Sequence, residues 1–414
     1  MKETKMFEMQ DNKNRLTIAI DIGSQTHWMY WCDERGREGK SRAFANTWKG
    51  LDQMWARVSA ARRKTGVESV TVGFESSGPY TKPVAYYFAE KPVRLVQVNP
   101  MHTKRAKELN DNSPLKSDKK DPKIIAGLIR MGYHLEVMLP YGVMADLRHY
   151  IHSREGAVKD RTAAKNHLNQ ALSCLFPEFL SVFKDLETAT ARYLLRQYPL
   201  PRMVMELGED ELTAQIEKIS RKRLGRKHAQ DLLEGAAHTL GVQEGTNALQ
   251  EDIQDALEAI ERTTARIDRL EENIAGILEE IPCSRYLLSV KGVGLVTAAG
   301  ILGEVVDFDA YPTAASLLKM AGLNLYEVSS GVFKGTRRIT KRGRALLRKF
   351  LYCACANMIK KDGILHDYYH RLRNRDKHTQ KAMVAVMRKL LRILYALVRD
   401  RVPYDHTYAL RRAA

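Results

Sequence analysis

The chain has 414 residues, of which 44% are hydrophobic and 28% are charged. These values are ordinary for a globular protein, and the length allows two or three domains with proper cores. Its five cysteines are scattered and form no Cys-x-x-Cys pair, which argues against a disulfide framework or a zinc finger and favours a reducing compartment, the cytoplasm.

Two segments bear on membrane insertion. The N-terminus lacks the apolar centre of a signal peptide. The most apolar C-terminal stretch, residues 382–398, is interrupted by Arg388, Lys389 and Arg392. We therefore predict an amphipathic helix there and no membrane span.

The net charge of +18 is concentrated at the C-terminal end of the chain. Residues 331–414 hold 22 Lys and Arg against five Asp and Glu, whereas the first 330 residues hold 45 against 44. This distribution predicts a polyanionic partner, most simply nucleic acid. The alternative is a solvated basic helical surface.

The N-terminal part alternates between strand and helix patterns. Short β-rich runs predict strands at residues 15–21, 27–32, 69–75 and 93–98, with a hairpin turn at 33–36 leading to another extended segment. Helices are predicted at 51–64 and 80–89, and after Pro100 and Pro122. Hairpin strands followed by alternating strands and helices predict a mixed sheet with helices on its faces.

Residues 144–280 read as helical. Near the end of this region, mostly apolar residues recur at alternating steps of four and three, as in a heptad repeat. They are Ile253, Leu257, Ile260, Thr264, Ile267, Glu271, Ile274 and Leu278, and Glu271 is the flaw in the repeat. The pattern predicts a coiled coil or a helical hairpin, with an oligomer contact as one use for it. After Pro282, residues 287–297 resemble a helix-hairpin-helix turn around Gly292 and Gly294, although a packing turn between two helices explains them equally well.

Four acids form the first candidate site. Asp21 and Glu75 each end a predicted buried strand, where a carboxylate is costly unless a positive charge pairs with it. Asp118 and Asp121 follow, and Pro122 predicts that Asp121 caps a helix that begins with the proline. Oxygen ligands of this kind suit Mg²⁺. Taken singly, each acid is also explained as a turn, strand-end or capping residue.

The second candidate site is a serine in a basic segment. Ser330 stands directly before Gly331, between the run Ala321-Gly322-Leu323 and a cationic stretch that continues to residue 344. A loop serine surrounded by arginines is suited to attack a phosphodiester. Serine-glycine is also ordinary turn chemistry.

These motifs together resemble the transposases of the insertion sequence 110 family, which act as RNA-guided serine recombinases. The likeness covers residues 15–170 and 283–365. It rests on the four acids in order, on Lys-Ser-Asp-x-x-Asp at 116–121, and on Ala-Gly-Leu, Ser-Gly and Gly-x-x-x-Leu-Arg at 321–323, 330–331 and 343–348. Two positions depart from the family pattern, since Asn324 replaces a usual proline and Pro122 a usual alanine. The Asp21 opening also resembles that of actin-like sugar kinases, but their further glycine-rich phosphate motifs are not found.

The resemblance implies a fold, a chemistry and partners. The expected fold is α/β plus all-α: an RNase-H-like (RuvC-like) mixed-sheet catalytic domain at residues 1–170, a helical coiled-coil middle at 171–282, and a basic helical C-terminal domain with a helix-hairpin-helix-like element at 283–414. The implied function is a DNA transposase or recombinase that uses Mg²⁺ (or Mn²⁺) held by Asp21, Glu75, Asp118 and Asp121. Ser330 is the implied nucleophile, forming a covalent serine–DNA intermediate, with Ser329 as its rival.

The implied partners are donor and target DNA, a structured noncoding (bridge) RNA that guides it, and further copies in a homodimer or tetramer built through the helical middle, in the nucleoid-associated cytoplasm of a bacterium. The predicted nucleic-acid contacts are Lys104, Arg105, Lys107, Lys291, Lys334, Arg337, Arg338, Lys341, Arg342, Arg344 and Arg348. Two rival functions remain: a metal-only nuclease similar to Holliday-junction resolvases, and a non-catalytic nucleic-acid scaffold.

Overall fold

The computed structural model describes residues 14–75, 78–111, 120–327, 329–330, 333–334, 338–375 and 377–405, with side chains for all of these except 108–111, 329–330 and 333–334. Packing divides the chain into two compact units, Met1–Leu139 and Pro140–Ala414. Each unit has its own core and is described by itself.

The N-terminal unit is built on a six-stranded sheet with the strand order β3-β2-β1-β4-β5-β6. Its strands are β1 (Arg15–Ile22), β2 (Thr26–Asp33), β3 (Arg42–Ala45), β4 (Ser69–Glu75), β5 (Arg94–Val98) and β6 (Leu135–Glu136). The β1–β4 and β4–β5 pairs are parallel, and the other pairs are antiparallel. The predicted mixed sheet is confirmed, and the two-residue β6 at its edge is an addition that the sequence pattern did not indicate.

Helices cover both faces of this sheet: α1 (Trp48–Thr65), α2 (Thr81–Ala89), α3 (Pro100–Asp111) and α4 (Asp121–Arg130). Because side chains alternate along a strand, β1 and β4 each serve two cores. Ile20 and Phe74 pack with α1 and α2 on one face, while Ala19 packs with α4 on the other. A Cβ on Gly73 would come within 2.3 Å of Ile129 Cδ1, so the missing side chain lets α4 lie close to the sheet.

The C-terminal unit is mainly helical. Its helices are α5 (Val143–Leu175), α6 (Pro177–Val182), α7 (Ala189–Gln197), α8 (Pro201–Ser220), α9 (Arg226–Ala237), α10 (Thr246–Glu280), α11 (Ser284–Leu288), α12 (Leu295–Val305), α13 (Ala314–Met320), α14 (Ala345–Met358), α15 (His366–Arg373) and α16 (Thr379–Asp400). Four short strands lie between α13 and α14, namely β7 (Leu325–Tyr326), β8 (Ser329–Ser330), β9 (Phe333–Lys334) and β10 (Arg338–Ile339).

The two longest helices, α5 and α10, pack against each other in opposite directions. Leu147 near the start of α5 shares a core with Leu278 near the end of α10, whereas Leu168 packs with Ile260. The repeating apolar positions of α10 therefore pack against α5 of the same chain, although α6–α9 separate the two helices in sequence. Glu271, the flaw in that repeat, accepts a 2.8 Å hydrogen bond from Arg154 of α5, and the neighbouring Leu270 is buried in its place.

Two cores lie along the antiparallel pair of α5 and α10. One gathers α6–α9 around the ends of α5 and α10, and the other gathers α11–α16 around the opposite ends. Helix α5 continues across residue 170, and α10 ends at Glu280. Since packing divides the chain at residue 139, the boundaries at 170 and 282 stay predictions about functional modules.

Two further predictions concern the C-terminal unit. The tight turn between α11 and α12 is present, and only one of its glycines needs special backbone freedom: Gly292 has a φ of 103°, whereas Gly294 is extended and precedes α12. Helix α16 is amphipathic as predicted, with Leu390 and Leu394 fully buried. No helix in the described parts of the chain is long and apolar enough to cross a membrane.

Candidate active site

Asp21 and Glu75 lie next to each other at the carboxyl end of the two central parallel strands. The last paired residues of β1 and β4 are Ile20 and Phe74, so the acids that follow occupy matching positions. Residues at matching positions of parallel strands face the same side of a sheet. Both acids are on the face that α4 covers, and both are half-buried.

Asp121 reaches the same edge from α4. The end of α4 lies near the amino end of β1, because Arg130 is 3.5 Å from Glu34 and β2 ends where β1 begins. The start of α4, at Asp121, is therefore at the carboxyl end of β1 and β4. Three of the four predicted acids thus meet at one edge of the sheet.

The predicted helix cap at Asp121 is wrong by one residue. Helix α4 begins with Asp121 itself, Lys120 precedes it at the cap position, and no side chain caps the helix. Pro122 is tolerated at the second helical position because the N–H that it lacks has no intrahelical partner there. The Asp121 carboxylate is instead engaged by another helix.

That partner is Lys107 of α3, whose Nζ lies 2.5 Å from Asp121 Oδ2. The Asp121 residue is only 7% exposed, so its charge requires a cation close by. Lys107 was predicted to bind nucleic acid, and the structure places its ammonium against Asp121. Lys104 and Arg105, on the same helix, are exposed.

The fourth predicted acid, Asp118, lies outside the described residues. Within the ranges that the structure describes, no three His, Cys, Asp or Glu residues form a group that could hold a metal ion. The donor chemistry nevertheless fits a hard divalent cation, since Asp21, Glu75 and Asp121 all offer carboxylate oxygens at this edge.

His27, at the start of β2, is a buried neighbour of this edge that sequence reasoning missed. It pairs with Ile22 across the sheet, and its Nε2 lies 3.1 Å from Asn46 Oδ1. Burial lowers the pKa of His27, against a smaller opposing effect of the Asn46 hydrogen bond. His27 faces the α1 and α2 side of the sheet together with Ile22, and it supports the turn after Asp21 through Asn46, which donates a hydrogen bond to the Ser24 carbonyl.

Ser330 is the last residue of β8 in the C-terminal unit, where it pairs with Phe333 of β9, and Ser329 pairs with Lys334. A second pair of short strands flanks this hairpin, since Tyr326 of β7 pairs with Arg338 of β10. Ser330 thus lies in one of two short antiparallel strand pairs between α13 and α14.

The cations around these strand pairs divide into two groups. Lys291, Arg338, Lys341 and Arg342 are exposed and free to meet a polyanion, whereas Arg337 and the side chain of Lys334 lie outside the described parts of the chain. Arg344 and Arg348 are half-buried and donate to the protein's own carbonyls. Their role as nucleic-acid contacts stays a prediction, and the structure gives both an internal role.

Glu304 of α12 is the acid that holds Arg344, and the sequence pattern did not single it out. It is 3% exposed and lies 2.8 Å from His152 Nε2 and 3.7 Å from both Arg148 and Arg344. Burial acts to raise the pKa of Glu304, but the His152 hydrogen bond and the two arginine charges outweigh it and lower the pKa. The sequence signal that could have identified Glu304 is its place as the one acid in α12, a helix otherwise made of apolar and small residues.

A further basic surface, formed by α15 and α16, was predicted only as part of the C-terminal charge. Lys389 Nζ lies 4.3 Å from the centroid of the Tyr368 ring. Burial and the neighbouring Arg371 lower the pKa of Lys389, while burial and Arg392 lower that of Arg388. Cations that repel one another in this way are relieved by an anionic partner.

Comparison with known proteins finds two family models that match different parts of the chain. The family model of the DEDD transposases of IS110, described as "Transposase", matches residues 18–177, and one described as "Transposase IS116/IS110/IS902 family" matches residues 284–370. The chain belongs to the IS110 family of transposases. The first match contains all four acids of this transposase and the second contains Ser330, so the resemblance seen in the motifs is confirmed.

Two relatives of this transposase match it over almost its whole length. It is 23% identical to an uncharacterized 43.6 kDa protein of insertion element IS110 from Streptomyces coelicolor, over 97% of each chain. It is 24% identical to an uncharacterized 44.8 kDa protein of insertion element IS116 from Streptomyces clavuligerus, over 95% of this chain and 97% of the relative. A mini-circle putative transposase for IS117, also from Streptomyces coelicolor, is 24% identical over 76% and 78% of the two chains.

Proposed function

We propose that this transposase cuts and rejoins DNA strands, with the acidic edge holding a metal ion and Ser330 supplying the nucleophile. The observation that carries the proposal is the matching position of Asp21 and Glu75 at the carboxyl end of parallel strands, with Asp121 at the same edge. This arrangement, on a sheet that starts with a hairpin and continues with alternating strands and helices, supports an RNase-H-like (RuvC-like) fold for the unit.

The acids are proposed to hold Mg²⁺ or Mn²⁺ together with Asp118. A bound divalent ion would offset negative charge that develops on a phosphate. The buried Asp121 carboxylate also needs a positive charge beside it, and the ammonium of Lys107 supplies one. The edge is thus suited to cations whether or not DNA is present.

Ser330 is proposed to supply the attacking oxygen. Its Oγ forms a bond to phosphorus as the bond from phosphorus to a deoxyribose oxygen breaks; Oγ loses its proton, and the leaving oxygen gains one. One phosphoester replaces another, so the reverse step rejoins DNA without ATP. The exposed cations Arg338, Lys341 and Arg342 would bind the phosphates beside it.

The family further suggests a guide. A structured noncoding RNA that pairs with donor and target DNA would select sequence, leaving the protein to read shape and backbone. The positive charge of residues 331–414 supports a nucleic-acid partner without distinguishing RNA from DNA. A dimer or tetramer, and a place near the bacterial nucleoid, belong to the same proposal.

The deciding experiment incubates the protein with donor DNA, Mg²⁺ and RNA transcribed from the sequence flanking its gene, then looks for a protein–DNA adduct that survives denaturation. The wild type and Ser329→Ala should form it, and Ser330→Ala should not. Cleavage without any adduct would indicate the metal-only nuclease. DNA binding without cleavage, unchanged by Asp21→Asn, would indicate a scaffold. Omitting the RNA tests the guide.

A further inference from the structure

The two chain segments that lead to and from Ser330 are joined by several backbone pairs. Strand β7, before Ser330, pairs with β10, after it, through Leu325–Ile339 and Tyr326–Arg338. Farther from Ser330 in sequence, three backbone N–H groups of the segment after it donate to carbonyls of the segment before it: Thr340 to Asn324 at 2.8 Å, Lys341 to Gly322 at 3.0 Å, and Arg344 to Met320 at 3.0 Å. We call residues 320–326 and 338–344 the loop base.

The two halves of the loop base approach as closely as backbones can. A Cβ on Gly343 would lie 2.2 Å from the Met320 carbonyl oxygen and 2.5 Å from the Gly322 nitrogen. Gly322 itself has a φ of 70°, a conformation that favours glycine. Any side chain at residue 343 would therefore separate the halves.

Arg348 bridges the two halves. Its Nη1 donates to the Ala321 carbonyl at 3.0 Å and to the Gly343 carbonyl at 3.1 Å, so one nitrogen holds both segments. Arg348 extends from α14, whose Leu347 and Leu351 are fully buried in the core of the C-terminal unit. Burial lowers the pKa of its guanidinium, as expected for a cation partly enclosed by protein.

We propose that Arg348 is a positioning residue that fastens the loop base and thereby sets the place of Ser330 on the C-terminal core. The inference rests on the proposed role of Ser330. It differs from the role predicted above for Arg348, a direct contact with a DNA phosphate, because Nη1 is already occupied by two carbonyls that belong to opposite halves of the base.

Two variants test the fastening in different ways. Arg348→Met removes the bridge and a charge, whereas Gly343→Ala separates the same two segments and changes no charge. In both, amide hydrogen exchange at Thr340, Lys341 and Arg344 should become faster than in the wild type. The rate of adduct formation at saturating DNA should fall roughly tenfold to a hundredfold, as expected when a reacting group is displaced by about 1 Å.

The salt dependence of DNA binding separates fastening from phosphate contact. A residue that binds a phosphate lowers the slope of log affinity against log salt by about 0.9 when its charge is removed. Arg348→Met should leave this slope as in the wild type. Arg342→Gln, which removes an exposed cation of the same segment, is the matched control and should lower both slope and affinity.

Three results would overturn the proposal: unchanged amide exchange in both variants, faster exchange with an unchanged saturated rate, or a slope lowered by about 0.9 in Arg348→Met. The exchange measurement needs no chemistry. If the wild type forms no adduct, the role of Ser330 fails, and with it the stated purpose of the fastening, while exchange still reports whether Arg348 holds the base.

Discussion

The ammonium of Lys107 lies 2.5 Å from the carboxylate of Asp121, at the sheet edge where Asp21 and Glu75 lie near the ends of neighbouring strands. The contact joins α3 to the first residue of α4. A lysine and a divalent cation offer this buried acid the same thing, a positive charge, so the two should compete for it.

Lys107→Met should therefore make the protein more responsive to Mg²⁺. Removing one partner of a buried charge leaves the other unpaired, which costs about 1–3 kcal/mol here because Lys107 is itself partly exposed. The midpoint of thermal unfolding should fall without Mg²⁺ and recover further than in the wild type when Mg²⁺ is added. Lys104→Met, an exposed lysine of the same helix, is the control. Equal Mg²⁺ shifts in all three proteins would contradict the competition.

The two ends of β4 provide a matched pair of acids. Glu75 ends the strand beside Asp21, whereas Glu68 is exposed directly before its start. Glu75→Gln should reduce DNA cleavage by roughly a hundredfold or more, the usual scale for losing an electrostatic group at a reacting phosphate. Glu68→Gln should cleave as the wild type does. Gel assays of cleavage at saturating Mg²⁺ measure both, and similar rates would remove Glu75 from the site.

Gly73 sets the distance between α4 and the sheet at Ile129. A substitution there should therefore also shift Asp121, which lies at the other end of the same helix. Gly73→Ala puts a methyl group 2.3 Å from Ile129 Cδ1, and overpacking of this kind costs about 1–3 kcal/mol. Unfolding free energy and cleavage rate should both fall, and adding Ile129→Ala should restore part of each. Gly127→Ala, in α4 with open space around its Cα, should instead stabilise by up to about 1 kcal/mol.

Glu304 predicts a specific pH dependence. Its folded-state pKa is lowered from the usual 4.5, so the native state favours the ionised form. The stability that this carboxylate contributes is present above pH 4.5 and is lost as the pH falls through the lowered folded pKa. Glu304→Gln should cost roughly 3 kcal/mol at neutral pH, the low end for breaking a buried pair. It should also flatten the acid limb of stability against pH, measured by urea unfolding, while Glu280→Gln, an exposed acid, should not.

The basic surface of α15 and α16 predicts a second DNA or RNA contact. Arg392 is exposed there, and its charge adds to the lowering of the Arg388 pKa. Arg392→Gln should reduce the salt slope of duplex DNA binding by about 0.9. Arg226→Gln is the control, because Arg226 already pairs with Asp210 at 2.5 Å. Equal slopes for Arg392→Gln and the wild type would show that this surface stays in solvent.

Much of the fold could be predicted because its signals are local. Short, continuous β-rich apolar runs predicted β1 and β4, and an acid follows each run at or next to the last residue of the strand, so Asp21 and Glu75 were found without knowing any contact. The heptad-like spacing of α10 likewise predicted a helix with one buried face. It left open what covers that face, since a coiled coil between chains and a hairpin within one chain require the same pattern.

The one-residue error at the start of α4 has the same origin. A proline after an aspartate is compatible with two neighbouring helix starts, and the Asp121 side chain pairs with Lys107, which lies on another helix, instead of capping its own. Local preferences cannot register a partner that is distant in the sequence.

The sequence by itself determined the order of the acids, the place of Ser330 in a basic segment and the amphipathic character of the helices, because each depends on residues that are neighbours in the chain. Only the tertiary structure decided which charges act within the protein. Lys107, Arg344 and Arg348 look like free cations in the sequence, but Asp121, Glu304 and two backbone carbonyls engage them. Whether a cation pairs with the protein's own groups depends on burial and distance, and these are set only when helices far apart in the chain pack together.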